Sequence, residues 1–211
     1  MPRLTGVTAL ALSLSAVLPG RALPAPQSAA APTIVLPPGA SPAPASATPA
    51  AAPGCLPSGN GYLRARIRGA LNVDIDWRNA QIECDGGPRP DGSGIRVSFA
   101  GPKRADGRRL RLVFGVGAAR EGRGGHALPT NLTVIVEGAQ RLYTTAGEDR
   151  CTVDTLQQQR LRDPGSKPRF YRIVARGFCV APASTLNHAE RILVSSFDFA
   201  GSAVFGDDAV R

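Results

Sequence analysis

Residues 63–77 alternate between apolar and polar side chains, and this pattern constrains the fold more than any other feature of the chain. The apolar members of the run are Leu63, Ala65, Ile67, Leu71, Val73, Ile75 and Trp77, and the side chains between them are mostly Arg, Asn and Asp. A period of two places every apolar side chain on one face of a β-strand, so that one face is buried. The run therefore predicts β structure.

Fifteen residues are long for one strand, and Gly69 interrupts the run. A hairpin centred on Ala70 keeps the alternation in phase and pairs opposite charges across the strands, each pair contributing roughly 0.2–1 kcal/mol. The partners that this hairpin predicts are Leu63 with Trp77, Arg64 with Asp76, and Arg66 with Asp74. One bent strand with a β-bulge at Gly69 is the alternative.

Short alternating runs continue to the end of the chain, separated by turns rich in Gly, Pro and Asp. They are centred on Val97, Leu112, Val134, Ile173 and Phe197. The last run is expected to place Leu193, Ser195, Phe197 and Phe199 on one face. The segments 152–162 and 183–191 are expected to hold short helices.

Many short strands with few helices predict an all-β fold. The favoured architecture is an antiparallel β-sandwich of the jelly-roll-like type, with a β-barrel as the alternative. The first and last strands are expected to be neighbours in the sheet. This domain is predicted to span residues 55–211.

The first 22 residues have the features of a secretory signal peptide. Arg3 is followed by an uncharged apolar run from Leu4 to Leu18, and small residues at Gly20 and Ala22 mark a cleavage site. The apolar run is shorter than the ~20 residues that span a membrane. We therefore expect an exported chain with no transmembrane segment after cleavage; an uncleaved anchor is the alternative.

Residues 23–54 contain nine Pro and eleven Ala and no charged side chain. Proline fixes φ and lacks an N–H group, which disfavours the interior of helices and sheets. This segment is predicted to be a disordered Pro/Ala-rich linker between the signal peptide and the domain.

The four cysteines, Cys55, Cys84, Cys151 and Cys179, are predicted to form two disulfides, because an even number in an exported chain is typical of disulfide bonding. Cys151 and Cys179 are equidistant from Gly165, inside a turn motif, so a hairpin there would place them directly opposite each other. It would also set Val153 against Gly177 and Thr155 against Ala175. The prediction is Cys151–Cys179 and Cys55–Cys84. Metal binding is the rival, but no Cys-x-x-Cys pair supports it.

No catalytic set is apparent in the sequence. The two histidines, His126 and His188, are expected in a flexible loop and in a loop or short helix, and no Gly-x-Ser-x-Gly elbow accompanies them. Asp74 and Asp76 are neighbours on one strand, whereas glycosidases need carboxylates across a cleft. No catalytic residue, metal site or cofactor is predicted; a small hydrolase using either histidine is the least favoured hypothesis.

The distribution of positive charge is the most suggestive feature. The chain carries 25 Lys and Arg against 16 Asp and Glu, a net charge of +9. Around residues 170–179, alternation places aromatic and arginine side chains together on the face away from the cysteines. An exposed ladder of this kind is suited to polyanions, glycans or proteins. The candidate binding residues are Arg109, Arg111, Phe170, Arg172, Arg176 and Phe178; a solvated basic face that only aids solubility is the alternative.

These features together predict an exported envelope protein, periplasmic or secreted. Its expected role is that of a non-catalytic binding module for an anionic envelope polymer or glycan. The candidate partners are an anionic glycan, lipopolysaccharide or extracellular DNA. A protein partner, as for an adhesion or inhibitor domain, is the second hypothesis.

Overall fold

The first two strands form the hairpin that the alternation at residues 63–77 predicts. In the computed structural model, which describes residues 54–162 and 164–206, β1 spans Tyr62–Gly69 and β2 spans Val73–Arg78. The register is as expected: Leu63 lies opposite Trp77, Arg64 opposite Asp76, and Arg66 opposite Asp74. The predicted signal peptide, and all of the predicted linker except Gly54, lie outside the described residues.

The described part of the chain is almost entirely β structure, which confirms the predicted all-β class. A single turn of 3₁₀ helix, Asn79–Gln81, is the one helix found there. The nine strands that follow the first hairpin are β3 (Glu83–Pro88), β4 (Gly94–Ala100), β5 (Arg109–Gly117), β6 (Gly125–Glu137), β7 (Arg141–Thr144), β8 (Cys151–Arg160), β9 (Arg169–Cys179), β10 (Ala183–Ser184) and β11 (Arg191–Phe205).

All eleven strands belong to one antiparallel hydrogen-bonded sheet in which two long strands branch. The main order is β2-β1-β11-β10-β7-β6-β5-β4-β3. Strand β11 also pairs with β9, and β9 pairs with β8, which returns to β6. The expected pairing of the first and last strands is present, since β1 lies along β11 from Tyr62 opposite Ala200 to Gly69 opposite Ile192.

The sheet folds over a single core in which aromatic rings from distant strands meet. Phe99 on β4 and Phe114 on β5 face Phe199 on β11, with ring centroids 5.0 and 4.8 Å from it. All three rings are fully buried. Offset aromatic contacts of this kind add about 0.5–1.5 kcal/mol beyond burial. The packing of β4 and β5 against β11 therefore places two parts of the sheet face to face.

The last strand departs from the predicted alternation. Ile192 and Val194 are buried in its first half, and Phe197 and Phe199 in its second, whereas Ser195 is exposed. The register against β1 shifts at this point, because Arg66 faces Ser196 while Ile67 faces Val194. A β-bulge at Ser195 thus moves the inward set by one residue. The prediction that Leu193 and Ser195 share a face with Phe197 is wrong for this reason.

Neither expected short helix is present. Residues 151–160 form strand β8, in which Cys151, Val153 and Leu156 are buried. A register shift between Val153 and Thr155 changes the spacing of the buried residues from two to three, which resembles a helical period. The second segment holds the two-residue strand β10 and a turn in which the His188 amide donates to the Thr185 carbonyl.

Both predicted disulfides are present. Cys151 lies directly opposite Cys179 in the β8–β9 ladder, and Cys55 is bonded to Cys84 on β3. Val153 faces Gly177 as expected, but the bulge sets Thr155 against Arg176 instead of Ala175. Two disulfides are typical of chains that fold in an oxidising environment outside the cytoplasm.

Within residues 54–162 and 164–206, the structure contains no helix that is long and apolar enough to cross a membrane.

Candidate ligand-binding face

The outward side of β9 carries the aromatic–arginine ladder that the sequence predicts. Tyr171, Ile173 and Ala175 point inward and are buried. The residues between them point outward, and we refer to them as the β9 ladder: Phe170, Arg172, Val174, Arg176 and Phe178. Arg176 and Phe178 are exposed, and the other three members are half-buried.

Polar, mostly uncharged side chains flank the β9 ladder on both neighbouring strands. On β8, Thr155 lies opposite Arg176 and Gln157 lies opposite Val174. On β11, Asp198 lies opposite Arg176 and Ser202 lies opposite Arg172. Antiparallel partners share a face, so these side chains form one continuous outer surface with the β9 ladder.

The two arginines of the β9 ladder have no charge partner in the described part of the chain. Neither Arg172 nor Arg176 has a carboxylate within ion-pair distance there, and the Nε atom of Arg172 is buried without a hydrogen-bond acceptor. Guanidinium groups bind carboxylates and phosphates through paired N–H donors. The β9 ladder therefore carries two guanidinium groups that form no ion pair with the described part of the protein.

The other two candidate arginines are in a different situation. Arg109 and Arg111 lie on β5 and both donate to Glu137 on β6; the Arg111 Nε to Glu137 Oε1 distance is 2.5 Å. Arg109 also contacts Glu83 at 3.1 Å, and Arg111 lies 3.7 Å from Asp85. Their charges are balanced by carboxylates, and the structure does not bring them next to the β9 ladder.

Glu137 links the Arg109–Arg111 network to acid stability. Hydrogen bonds from Arg109 and then Arg111 hold the pKa of the Glu137 carboxyl below its ordinary value of 4.5. A lowered folded-state pKa gives stability that is present above the unfolded pKa and is lost as pH falls through the folded one. We expect Glu137→Gln to lower the melting temperature at neutral pH and to reduce its fall between about pH 5 and about pH 3. The measurement is thermal unfolding across this pH range. An equal fall in melting temperature for the variant and the unmodified chain would show that Glu137 does not contribute to acid stability.

A groove of about 670 Å³ lies beside Arg176 on the outer surface. This volume is within the ~300–1,000 Å³ of typical small-ligand sites. The groove crosses β6, β8, β9 and β11, and its polar lining consists of His126, Thr155, Gln157, Arg176 and Asp198. The apolar part of its lining consists of Gly124, Gly125, Leu156, Val174 and Ala175.

Asp198 brings negative charge to the same groove. Its Oδ1 atom accepts a hydrogen bond of 2.8 Å from the Tyr62 hydroxyl, and its Oδ2 atom is 3.9 Å from Arg64. Burial, followed by the hydrogen bond to Asp198, raises the pKa of the Tyr62 phenol above its ordinary value. The Asp198 side chain is therefore anchored by Tyr62, and its remaining lone pairs leave acceptor capacity toward the groove.

The two aromatic residues stand at opposite ends of the β9 ladder. The guanidinium of Arg162 lies 4.2 Å from the centroid of the Phe170 ring, a cation–π contact. Phe178, next to the Cys151–Cys179 disulfide, is 38% exposed and lies opposite Thr152 on β8. Phe178 is thus the more open apolar surface of the pair.

One of the two histidines lies where the sequence did not predict it. His126 lies in strand β6, opposite Thr155, and not in a flexible loop. Residues 125–130 of β6 pair with β8, and β5 pairs with β6 only from residue 130 onward. Pro129, which has no N–H group, is therefore accommodated at a position that is paired on one side only. His188 is exposed in the turn after β10. Among residues 54–162 and 164–206, neither histidine hydrogen-bonds to a serine or a carboxylate, and no cluster of three potential metal ligands occurs.

The residues that sequence reasoning missed are those that the strand register brings to β9. Asp198 stands between the buried Phe197 and Phe199, so its outward position could have been inferred from the alternation. Its position opposite Arg176, and that of His126 opposite Thr155, depend on pairings between distant strands.

Comparison with protein-family models, with curated proteins and with solved structures finds no match.

Proposed function

We propose that this chain is an exported, non-catalytic binding module that recognises an anionic envelope polymer or glycan through the outer face of β9. The observation that carries the proposal is the contrast between two arginine pairs. Arg109 and Arg111 share Glu137, whereas Arg172 and Arg176 have no carboxylate partner in the described residues. Positive charge that the fold does not use internally is available to a ligand.

The position of this charge supports the proposal. Both arginines lie on a central strand that is paired on both sides, so their spacing is fixed by the backbone. A site on a rigid strand loses less conformational entropy on binding than one on loops. The groove beside Arg176 and the exposed ring of Phe178 add shape and apolar surface to the charge.

The two disulfides and the predicted signal peptide support a location outside the cytoplasm. Anionic glycans and lipopolysaccharide are abundant at such surfaces, and extracellular DNA is the third candidate. The periplasm and the external medium are both compatible with the proposal.

Replacing Arg172 and Arg176 together by alanine should weaken binding to a preferred anionic polymer by at least about tenfold, because each charge-assisted hydrogen bond is worth roughly 1.5–3 kcal/mol. The oxidised chain would be titrated, across a salt series, against lipopolysaccharide, anionic polysaccharides and DNA. The matched control is Lys103→Ala with Arg104→Ala, which removes two charges from an exposed loop between β4 and β5.

Equal weakening by the ladder variant and the loop variant would show that only net charge matters, and would overturn the proposal. The same conclusion would follow if binding of the unmodified chain to every polymer disappears near physiological salt, since exposed charges are then screened. Specific binding that survives salt and is lost only in the ladder variant would support it.

A protein partner is the second candidate, and one observation favours it. Phe178, near the end of β9, and Val180, just after it, are 38% and 68% exposed and offer apolar contact area to a protein. Recovery of one stoichiometric protein by the immobilised chain, abolished by Val180→Ser, together with failure of the polymer titrations, would favour this alternative.

A further inference from the structure

The groove beside Arg176 combines both signs of charge with uncharged hydrogen-bonding groups. One row of side chains crosses four neighbouring strands, because each residue lies opposite the next in the strand pairing: Asp198, Arg176, Thr155 and His126. With strands about 4.8 Å apart, the row is about 14 Å long. Gln157, opposite Val174, stands in the next row and lines the same groove.

This arrangement opposes a uniformly charged ligand. Double-stranded DNA carries one negative charge per ~1.7 Å of helix axis. A polyanion of that density would place negative groups next to the Asp198 carboxylate as well as next to Arg176. The hydrogen bond from Tyr62 and the neighbouring Arg64 hold the Asp198 side chain in place, so it stays beside any ligand group in the groove.

The same carboxylate favours a ligand that carries hydroxyl groups. A carboxylate only accepts hydrogen bonds, and its two oxygens offer about four lone-pair sites, of which Tyr62 uses one. The side chains of Thr155 and Gln157 can donate and accept. A ligand that satisfies the groove therefore brings one anionic group for Arg176 and several hydroxyls for the surrounding residues.

We propose that the groove binds a carboxylate-bearing, hydroxyl-rich glycan. Arg176 holds the carboxylate of one acidic sugar, and Asp198, Gln157 and Thr155 bind its hydroxyl groups. The inference rests on the proposed polymer-binding function and narrows its ligand to an acidic polysaccharide, against DNA or a sulfated polymer.

The glycan chain extends along β9 from this groove. Arg172 is four residues from Arg176 on the same face, a separation of about 13 Å along the strand. Arg172 is half-buried and has no ion-pair partner in the described residues, so its guanidinium can bind a second acidic sugar further along the chain. Phe170 follows at the end of the ladder, where Arg162 already covers its ring.

The decisive variant is Asp198→Asn, which removes the charge but keeps an oxygen that accepts from Tyr62. The probes are polygalacturonate, dextran sulfate, double-stranded DNA and neutral dextran, titrated against the oxidised chain near physiological salt. Asp106→Asn in the β4–β5 loop is the control, since it makes the same change in net charge away from the groove. An unchanged melting temperature establishes that each variant is folded.

The unmodified chain is expected to bind polygalacturonate at least about tenfold more tightly than DNA or dextran sulfate at equal charge concentration. Asp198→Asn should weaken the binding of polygalacturonate and strengthen the binding of DNA. Asp106→Asn should leave both affinities unchanged. If Asp198→Asn strengthens all three anionic probes alike, or if DNA binds as tightly as polygalacturonate, the acidic-glycan inference is overturned while the wider function stands. If none of the three anionic probes binds, the acidic-glycan inference is overturned, and failure of the lipopolysaccharide titration as well would overturn the wider function.

Discussion

Replacing Gly177 by alanine should lower the free energy of unfolding by about 3 kcal/mol, at the upper end of overpacking effects. Gly177 lies inward on β9, and a methyl group there would sit 2.0 Å from the Thr152 carbonyl oxygen and 2.7 Å from the Phe197 ring. The carbonyl belongs to the backbone of β8 and cannot rotate away. The change is best measured by urea unfolding monitored through the fluorescence of Trp77.

Gly165→Ala is the matched control for this variant. Gly165 lies in the turn between β8 and β9, and an added methyl group meets no atom within 4 Å there. Its unfolding midpoint should stay close to that of the unmodified chain or rise slightly, because alanine reduces the entropy of the unfolded state. Similar midpoints for the two variants would mean that β8 can move away from β9, and the tight packing described for this pair would be wrong.

The crowding at Gly177 has a structural cause in the strands on either side. Gly177 pairs with Val153 on β8 and with Phe197 on β11. Both strands have a register shift within two residues of these partners. Bulges increase local twist and bend the strand. The absence of a side chain at Gly177 lets the two twisted neighbours approach the strand that carries the proposed binding residues.

The sequence was sufficient to predict features that depend on local pairing. The hairpin of β1 and β2 follows from a single run with one interruption, and its three predicted residue pairs are all present. The pairing of Cys151 with Cys179 follows from their symmetry about Gly165. In both cases the two strands are consecutive in the chain, which makes their pairing readable from a short stretch of sequence. In the second hairpin, however, only the cysteine end of the ladder follows the symmetry about Gly165, because the register shifts by one residue between Val153 and Thr155.

Positions next to bulges could not be predicted in the same way. One extra residue moves every later side chain to the other face. The shift at Asp154 therefore set Thr155 against Arg176 and gave β8 a helix-like spacing, and the shift at Ser195 exposed a residue expected to be inward. A bulge is stabilised by contacts with neighbouring strands, which the alternation does not record.

The sequence also could not predict which arginines pair with a carboxylate. Arg109 and Arg172 both follow the pattern of a basic residue on an alternating strand. Glu137, which neutralises Arg109, is 28 residues away in the chain and reaches it only because β5 pairs with β6. The distinction between neutralised and available arginines, on which the proposed function depends, therefore appears only in the folded structure.

Removing either disulfide by paired Cys→Ala substitution should lower the free energy of unfolding by about 3.5 kcal/mol in the chain-entropy description. The two costs should be similar because the sequence separations, 29 for Cys55–Cys84 and 28 for Cys151–Cys179, are nearly equal. Urea unfolding of the two variants under oxidising conditions measures this cost. Midpoints equal to that of the unmodified chain would show that the disulfides do not add to the stability that strand pairing and core packing already give these segments.

The two disulfide variants should differ in binding even if they are equally destabilised. Cys151–Cys179 fixes the end of β9 next to Phe178, so its loss lets the β9 ladder move and should weaken polymer binding severalfold. Cys55–Cys84 ties the segment before β1 to β3, and that segment is also held by the buried Leu56 and by hydrogen bonds of 2.8 and 3.0 Å to the Asn79 side chain. Its loss should leave affinity unchanged. The same affinity in both variants would mean that the binding surface does not include the Phe178 end of β9, and would confine the site to the groove beside Arg176.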